Sequence, residues 1–128
     1  MGAANELIDL ERSGWRVLST SAEAAGIFYG HVLDRSPVML LPGGMNLTER
    51  DTVLQSMSGQ PWSSFEMGET QVLQPTDDVG VVAYDVLARR DHSAYAALVS
   101  SHYVHRDGRW RLFFHQQTPR PAPESETR

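Results

Sequence analysis

The sequence predicts an α+β fold, with helices in the first half of the chain and a long antiparallel sheet in the second. Up to about residue 57, apolar residues recur every three or four positions, which is typical of amphipathic helices. After Gly59, Gln60 and Pro61 the repeat changes to alternate residues, the pattern of strands with one buried face. This order indicates helices packed on one face of a sheet.

Composition is that of a globular protein, and it excludes several classes of function. The chain has 128 residues, of which 41% are hydrophobic and 21% charged, with no cysteine and a net charge of −5. Disulfides, thiolate metal ligands and cysteine nucleophiles are therefore excluded. The cationic side chains are all arginines without a basic cluster, so we expect no nucleic-acid partner. Without a membrane-length apolar run or a secretory signal, we expect a cytoplasmic protein with no membrane partner.

Three helices are predicted, each with a capping signal. The first begins near Asn5, the second follows a cap in which Thr20 precedes Glu23 by three residues, and the third begins at Thr48. They end near residues 18, 36 and 57. The first helix has its stripe at three-, four- and seven-residue spacings: Leu7, Ile8, Glu11, Trp15 and Leu18.

The predicted strands are one short segment and four long ones. The short strand covers residues 38–41, and the long strands cover about 64–74, 79–90, 94–106 and 109–118. Residues 120–128 have no large apolar side chain, so we expect a disordered tail. Residues 1–119 then form a single domain.

The carboxyl-terminal hairpin carries a resemblance to a known family. Residues 100–119, SSHYVHRDGRWRLFFHQQTP, resemble the strand, Asp-Gly turn, Trp and His-Gln-x-Thr-Pro ending of the nuclear transport factor 2-like superfamily, in its SnoaL-like and ketosteroid-isomerase-like branch. Residues 6–15, 28–29 and 41–45 support the same resemblance. It implies a cystatin-like cone, in which amino-terminal helices pack on a curved antiparallel sheet that encloses a pocket.

The family's isomerase chemistry does not transfer to this chain. Ketosteroid isomerases use a carboxylate base with a tyrosine and a protonated aspartate as the oxyanion hole. The resemblance places the base at Leu41 and the oxyanion aspartate at Ser101, and the first helix has Trp15 but no tyrosine. An alkyl group cannot abstract a proton, so this isomerase mechanism is excluded.

Other catalytic and metal sites are poorly supported. A hydrolase built on Ser101, His115 and Asp85 would lack the glycine-flanked turn that exposes a nucleophilic serine. His102 and His105 are three apart in one predicted strand, so they point to opposite faces and cannot chelate one ion. We predict no metal and no cofactor.

The register of the last hairpin has two alternatives. In a three-residue loop His105 opposes Arg109 and Ser101 lies beside Phe113, whereas in a two-residue Asp-Gly turn Arg106 opposes Arg109. The resemblance favours the three-residue loop. His115 is the best candidate for a general acid or base, because its unperturbed pKa is near neutrality. On the favoured register, the ligand-binding residues are predicted to be Trp15, Leu41, Tyr84, Ser101, Tyr103, Phe113, His115 and Gln117.

The opposite sheet face is predicted to be apolar, and the resemblance implies dimerisation through it. Its members would be Val82, Val104, Leu112 and Phe114, with Trp110 as a further candidate. We therefore predict a homodimer that binds a small apolar or aromatic ligand. The alternatives are an isomerase, dehydratase or cyclase that uses His115 for proton transfer, and a structural association domain.

Overall fold

Three helices precede most of the sheet, in the predicted order. The computed structural model describes residues 2–123. The helices are α1 (Ala3–Leu18), α2 (Ala22–Val32) and α3 (Arg50–Ser56). The strands are β1 (Leu33–Leu41), β2 (Met45–Leu47), β3 (Ser64–Met67), β4 (Gln71–Thr76), β5 (Val79–Arg90), β6 (Ser93–Arg106) and β7 (Arg109–Arg120).

The seven strands form one mixed sheet that carries the helices. The strand order is β2-β1-β7-β6-β5-β3, and β4 also pairs with β5. All pairs are antiparallel except β1 with β7, which run parallel and make the sheet mixed. Within the described residues the sheet has free edges and does not close into a barrel. The helix-on-sheet α+β architecture is confirmed.

Several predicted boundaries differ from the structure. The α2 cap is Ser21, whose hydroxyl accepts from the Ala24 amide at 3.0 Å, and Thr20 instead donates to the Arg16 carbonyl at the end of α1. Helix α2 ends at Val32, because β1 begins at the next residue, Leu33. Strand β1 is therefore longer than the short strand predicted for residues 38–41. The segment predicted as one strand over 64–74 is two strands, β3 and β4, separated at Gly68.

The last hairpin has the two-residue turn, so the favoured three-residue loop was wrong. Arg106 opposes Arg109, and both turn residues have positive φ, 56° at Asp107 and 81° at Gly108. Such a turn matches the twist of the flanking strands. A bulge then shifts the register between His102 and Tyr103. Opposite this point, Phe113 is the extra residue of β7.

The helices and the concave face of the sheet share one hydrophobic core. Leu7 of α1 is fully buried and lies against Gly80 of β5, and the Trp110 ring also lies beside this glycine. A Cβ at Gly80 would collide with Leu7, so this glycine allows the close approach of helix and sheet. Gly14 similarly admits the Tyr29 hydroxyl of α2 against α1. These contacts position α1 over the sheet.

Two expectations concern the chain's ends and its relation to membranes. The expected tail begins within β7, which includes Arg120, and residues 124–128 lie outside the described part of the chain. In residues 2–123, every helix falls short of the length and apolar character that a bilayer span requires.

Candidate functional site

A cavity of about 340 Å³ lies between the helices and the concave face of the sheet. This volume is at the small end of the range for ligand sites in proteins. Its walls are mostly apolar and aromatic, with a few polar groups. The aromatic and apolar lining consists of Trp15, Leu18, Tyr29, Met39, Leu41, Pro42, Met45, Met57, Trp62 and Tyr95, and the main polar lining consists of Glu11, Arg90, His115 and Gln117.

A buried carboxylate forms the centre of one polar group in the cavity. Glu11 is 6% exposed, and both of its oxygens accept hydrogen bonds from tyrosines of the sheet. Tyr84 donates to Oε1 at 2.5 Å, and Tyr103 donates to Oε2. The indole Nε1 of Trp15 donates to the Tyr84 hydroxyl at 2.8 Å, which directs the Tyr84 proton toward Glu11. We call these four residues the Glu11 cluster.

The tyrosines around Glu11 remain protonated. Burial raises the pKa of Tyr84 and of Tyr103 well above the ordinary value, and the negative charge of Glu11 raises both further. Burial and the same charge also raise the pKa of Tyr29. The phenols therefore act as hydrogen-bond donors to a carboxylate, and none of them is poised to lose its proton near neutral pH.

A second polar group forms a chain along β6 and β7. The Nδ1 atom of His115 lies 2.7 Å from Ser101 Oγ, and its Nε2 atom lies 3.0 Å from the amide nitrogen of Gln117. Tyr95 donates to the Gln117 amide oxygen at 2.7 Å. We call Ser101, His115, Gln117 and Tyr95 the His115 chain.

The partners of His115 determine its tautomer. An amide nitrogen can only donate, so Nε2 accepts from Gln117 and the ring proton lies on Nδ1, which donates to Ser101. Burial lowers the pKa of His115, and this effect outweighs the nearby charge of Glu11. The imidazole is therefore neutral at neutral pH. Its one lone pair is already bonded, so proton abstraction by His115 would require Gln117 to move.

The lowered pKa of His115 predicts a pH dependence of stability. Because the unfolded chain binds this proton more readily, His115 favours the folded state above its ordinary pKa of 6.5, and this contribution is lost as the pH falls below that value. We expect the free energy of unfolding to fall on acidification with a slope of at most about 1.4 kcal/mol per pH unit from this residue. In His115→Gln that component should disappear.

Urea unfolding of the wild-type protein and His115→Gln between pH 5 and 8, a range chosen to bracket this titration, measures the difference. The exposed His92→Gln is the matched control and should retain the wild-type slope. Identical slopes in wild type and His115→Gln would contradict the prediction.

The rim of the cavity is a stack of three side chains. The guanidinium of Arg90 lies 3.9 Å over the Trp62 ring, and Trp62 stacks on Tyr95 with ring centroids 5.7 Å apart. Arg90 also donates to the carbonyls of Gln60 at 2.6 Å and Pro61 at 3.4 Å. The segment before β3 is thereby held against the turn end of the β5–β6 hairpin.

The predicted ligand-binding residues lie in three places: on the cavity wall, directly behind it, and, for Phe113, on the outer face of the sheet. Trp15, Leu41, His115 and Gln117 line the cavity. Directly behind that lining, Tyr84 and Tyr103 bond to Glu11, and Ser101 bonds to His115.

Phe113 does not lie in the cavity, and its assignment was wrong. The bulge removes it from the inward row, so that Ser101 opposes His115 and Tyr103 opposes Leu112. Phe113 instead packs beside His102 on the outer face, with centroids 6.1 Å apart.

Of the five residues predicted on the outer face of the sheet, two lie there and three do not. Val82, Leu112 and Trp110 are buried in the core, whereas Val104 and Phe114 are half-buried on the outer face. His102 contacts Phe114 on that face, and His105 packs on Trp110 on the other, as expected for residues three apart. Among residues 2–123 no three histidine or acidic side chains are grouped closely enough to hold a metal.

The sequence did not identify Glu11 or the three rim residues as members of the functional site. Glu11 is on the apolar stripe of α1, four residues after Leu7 and four before Trp15, and a carboxylate in that position signals a buried polar site. Tyr95 lies near the start of β6, and Trp62, on which it stacks, comes more than thirty residues earlier in the chain, so no local pattern joins the two rings.

This arrangement of helices on a mixed sheet is the fold of solved structures described as NTF2-like and as cystatin-like. The chain is similar to an NTF2-like protein from Cytophaga hutchinsonii, with a TM-score of 0.77 and 12% identity over 94% of this chain and 100% of the other. It is similar to the association domain of C. elegans CaMKII, with a TM-score of 0.77 and 15% identity over 90% and 94%. It is also similar to an uncharacterized protein with a cystatin-like fold from Caulobacter vibrioides, with a TM-score of 0.75 and 11% identity over 92% and 89%.

The resemblance to NTF2-like proteins that the carboxyl-terminal hairpin indicated is confirmed for the fold. No protein-family model matches the sequence, and no curated protein is significantly similar to it.

Proposed function

We propose that this protein binds a small, largely apolar or aromatic molecule in the cavity between its helices and sheet. The observation that carries the proposal is the lining itself, in which aromatic and thioether side chains surround two hydrogen-bonded polar groups. Apolar walls with a few convergent polar atoms are the usual composition of small-molecule sites.

The surroundings of His115 favour a ligand-binding function over an enzymatic one in which His115 is the catalytic residue. Both ring nitrogens of His115 are hydrogen-bonded, and its imidazole is neutral, which supports a role in fixing the Gln117 side chain. An isomerase, dehydratase or cyclase would need a free acid or base at the reacting atom. Measurable turnover that is lost in His115→Ala would favour the enzyme.

Blocking the cavity tests the binding proposal. Leu41→Trp places a larger side chain on the cavity wall and should weaken binding of phenethyl alcohol, a neutral aromatic probe, at least about tenfold. The control Leu40→Trp alters the neighbouring residue, whose side chain points to the other face of β1. Isothermal titration calorimetry with wild type and both variants measures the change. Absence of binding to wild type, or equal binding to both variants, would contradict the proposal.

We also propose that the protein is a homodimer through the outer sheet face. Val81, Leu87, Leu98, Val104 and Phe114 lie on this face, and Leu98 near its centre is 47% exposed. Closed dimers commonly cover such apolar faces. The similar C. elegans structure is described as an association domain, which supports self-assembly.

A charge at the centre of the proposed interface should dissociate the dimer. Leu98→Asp would bury a carboxylate without a partner in the interface, where it would lose its hydration. Light scattering at micromolar concentration is expected to show a dimer for wild type and a monomer for Leu98→Asp. The control Ile27→Asp alters a residue of α2 that is 70% exposed and should remain dimeric. A wild-type monomer would refute the proposal, and larger rings would indicate a structural association domain.

A further inference from the structure

The Glu11 cluster places a carboxylate with two tyrosine donors at the cavity. Both oxygens of Glu11 accept hydrogen bonds from tyrosines, and the Tyr84 proton is committed to Glu11 because the Tyr84 oxygen accepts from Trp15. Acceptance at both oxygens is the hydrogen-bonding pattern of a carboxylate. Glu11 is also part of the cavity lining.

The partners of Glu11 disperse its charge without neutralising it. The phenols of Tyr84 and Tyr103 are neutral donors, and the ion pairs of Asp34, Asp85 and Asp107 with arginines lie elsewhere. The lowered pKa of His115 leaves its ring uncharged at neutral pH. A buried carboxylate whose partners within residues 2–123 are neutral is costly, and a bound cation would offset that cost.

The remaining walls suit a cationic ligand with an aromatic body. Trp15, Tyr29, Trp62 and Tyr95 present rings to the cavity, and aromatic faces attract ammonium groups as well as other rings. The one cationic side chain of the described lining, Arg90, is held at the rim by the Trp62 ring and two backbone carbonyls. Its guanidinium therefore already has partners of its own.

We propose that the Glu11 carboxylate selects ligands with a protonated amine, so that the cavity binds small aromatic amines in preference to the corresponding alcohols and carboxylic acids. This inference rests on the ligand-binding function proposed above. The amine would donate to Glu11 while its ring lies against the aromatic walls.

Three probes of nearly equal size test the selection. Phenethylamine, phenethyl alcohol and phenylacetate carry a positive, a neutral and a negative head on the same ring. Isothermal titration calorimetry on the full chain at pH 7 should show phenethylamine binding about tenfold or more tightly than the alcohol, the ratio expected for a charge-assisted hydrogen bond. Phenylacetate should bind more weakly than the alcohol, because its charge is repelled by Glu11.

Two variants assign the selectivity to Glu11. In Glu11→Gln, which keeps the size and an accepting oxygen, the amine should lose its advantage and bind like the alcohol. The control Glu6→Gln removes an exposed carboxylate one turn and a half earlier in the same helix and should retain the wild-type ranking. The ranking in wild type tests the inference even if Glu11→Gln does not fold.

The outcomes separate this inference from the proposed function. If wild type binds the amine no better than the alcohol, or if Glu11→Gln keeps the amine preference, the amine selection is refuted while ligand binding stands. If none of the three probes binds, the proposed binding function fails and the selection fails with it.

Discussion

Trp15→Ala is expected to lower the free energy of unfolding by about 3–5 kcal/mol, the usual loss for truncating a large buried aromatic ring. Trp15 is 4% exposed and stacks on Phe65 with ring centroids 6.4 Å apart. Its indole also directs the Tyr84 proton to Glu11 through a 2.8 Å hydrogen bond. The variant therefore loses packing and leaves the Glu11 cluster without the group that orients it.

Chemical denaturation monitored by far-ultraviolet circular dichroism measures the loss in Trp15→Ala. The matched control is Trp62→Ala, which removes a half-buried indole from the cavity rim. We expect a loss below about 2 kcal/mol for the control, because part of its ring is already in water. Equal losses in the two variants would show that burial and the Tyr84 bond do not distinguish these tryptophans.

Leu7→Ala is expected to be of comparable severity, with a loss of about 2–5 kcal/mol. Leu7 is 0% exposed. It occupies the space beside Gly80 that the Cβ of any other residue type at position 80 would need. Because the backbones of α1 and β5 approach closely here, the neighbours have little freedom to fill the cavity left by the deletion.

Leu73→Ala is the control for this second prediction. Leu73 is 59% exposed on β4, so the same chemical change should cost about 0.5 kcal/mol or less. Thermal and urea unfolding of both variants measure the contrast. A loss near that of the control in Leu7→Ala would mean that α1 is not fixed to the sheet through this contact.

The order of helices and strands could be predicted because it depends on local periodicity. The change from a three-to-four-residue repeat to alternation coincides with the start of β3, and the bounds of β5 agree with the predicted strand. The parallel pairing of β1 with β7 could not be predicted in this way. It joins segments more than seventy residues apart, and no local repeat records such a contact.

The register of the β6–β7 hairpin depends on the bulge at Phe113, which no pattern in the sequence indicates. The Asp107-Gly108 turn follows from residues that tolerate positive φ, and this part of the hairpin was available from the sequence as one alternative. The bulge at Phe113 was not, because Leu112, Phe113 and Phe114 are all apolar and fit either face. Ser101, Tyr103 and His115 share one face as predicted, although the register assumed for them was wrong.

By itself, the sequence determined the α+β class, the similarity to the NTF2-like fold and the exclusion of the ketosteroid isomerase carboxylates at Leu41 and Ser101. These depend on residue type and spacing along the chain. Only the tertiary structure decided which polar groups meet in the cavity. Glu11 of α1 acquires its partners Tyr84 and Tyr103 from strands more than seventy residues away, and burial of the phenols and the imidazole sets their protonation. Hydrogen-bond partners and desolvation are properties of packed neighbours, so they exist only once the helix lies on the sheet.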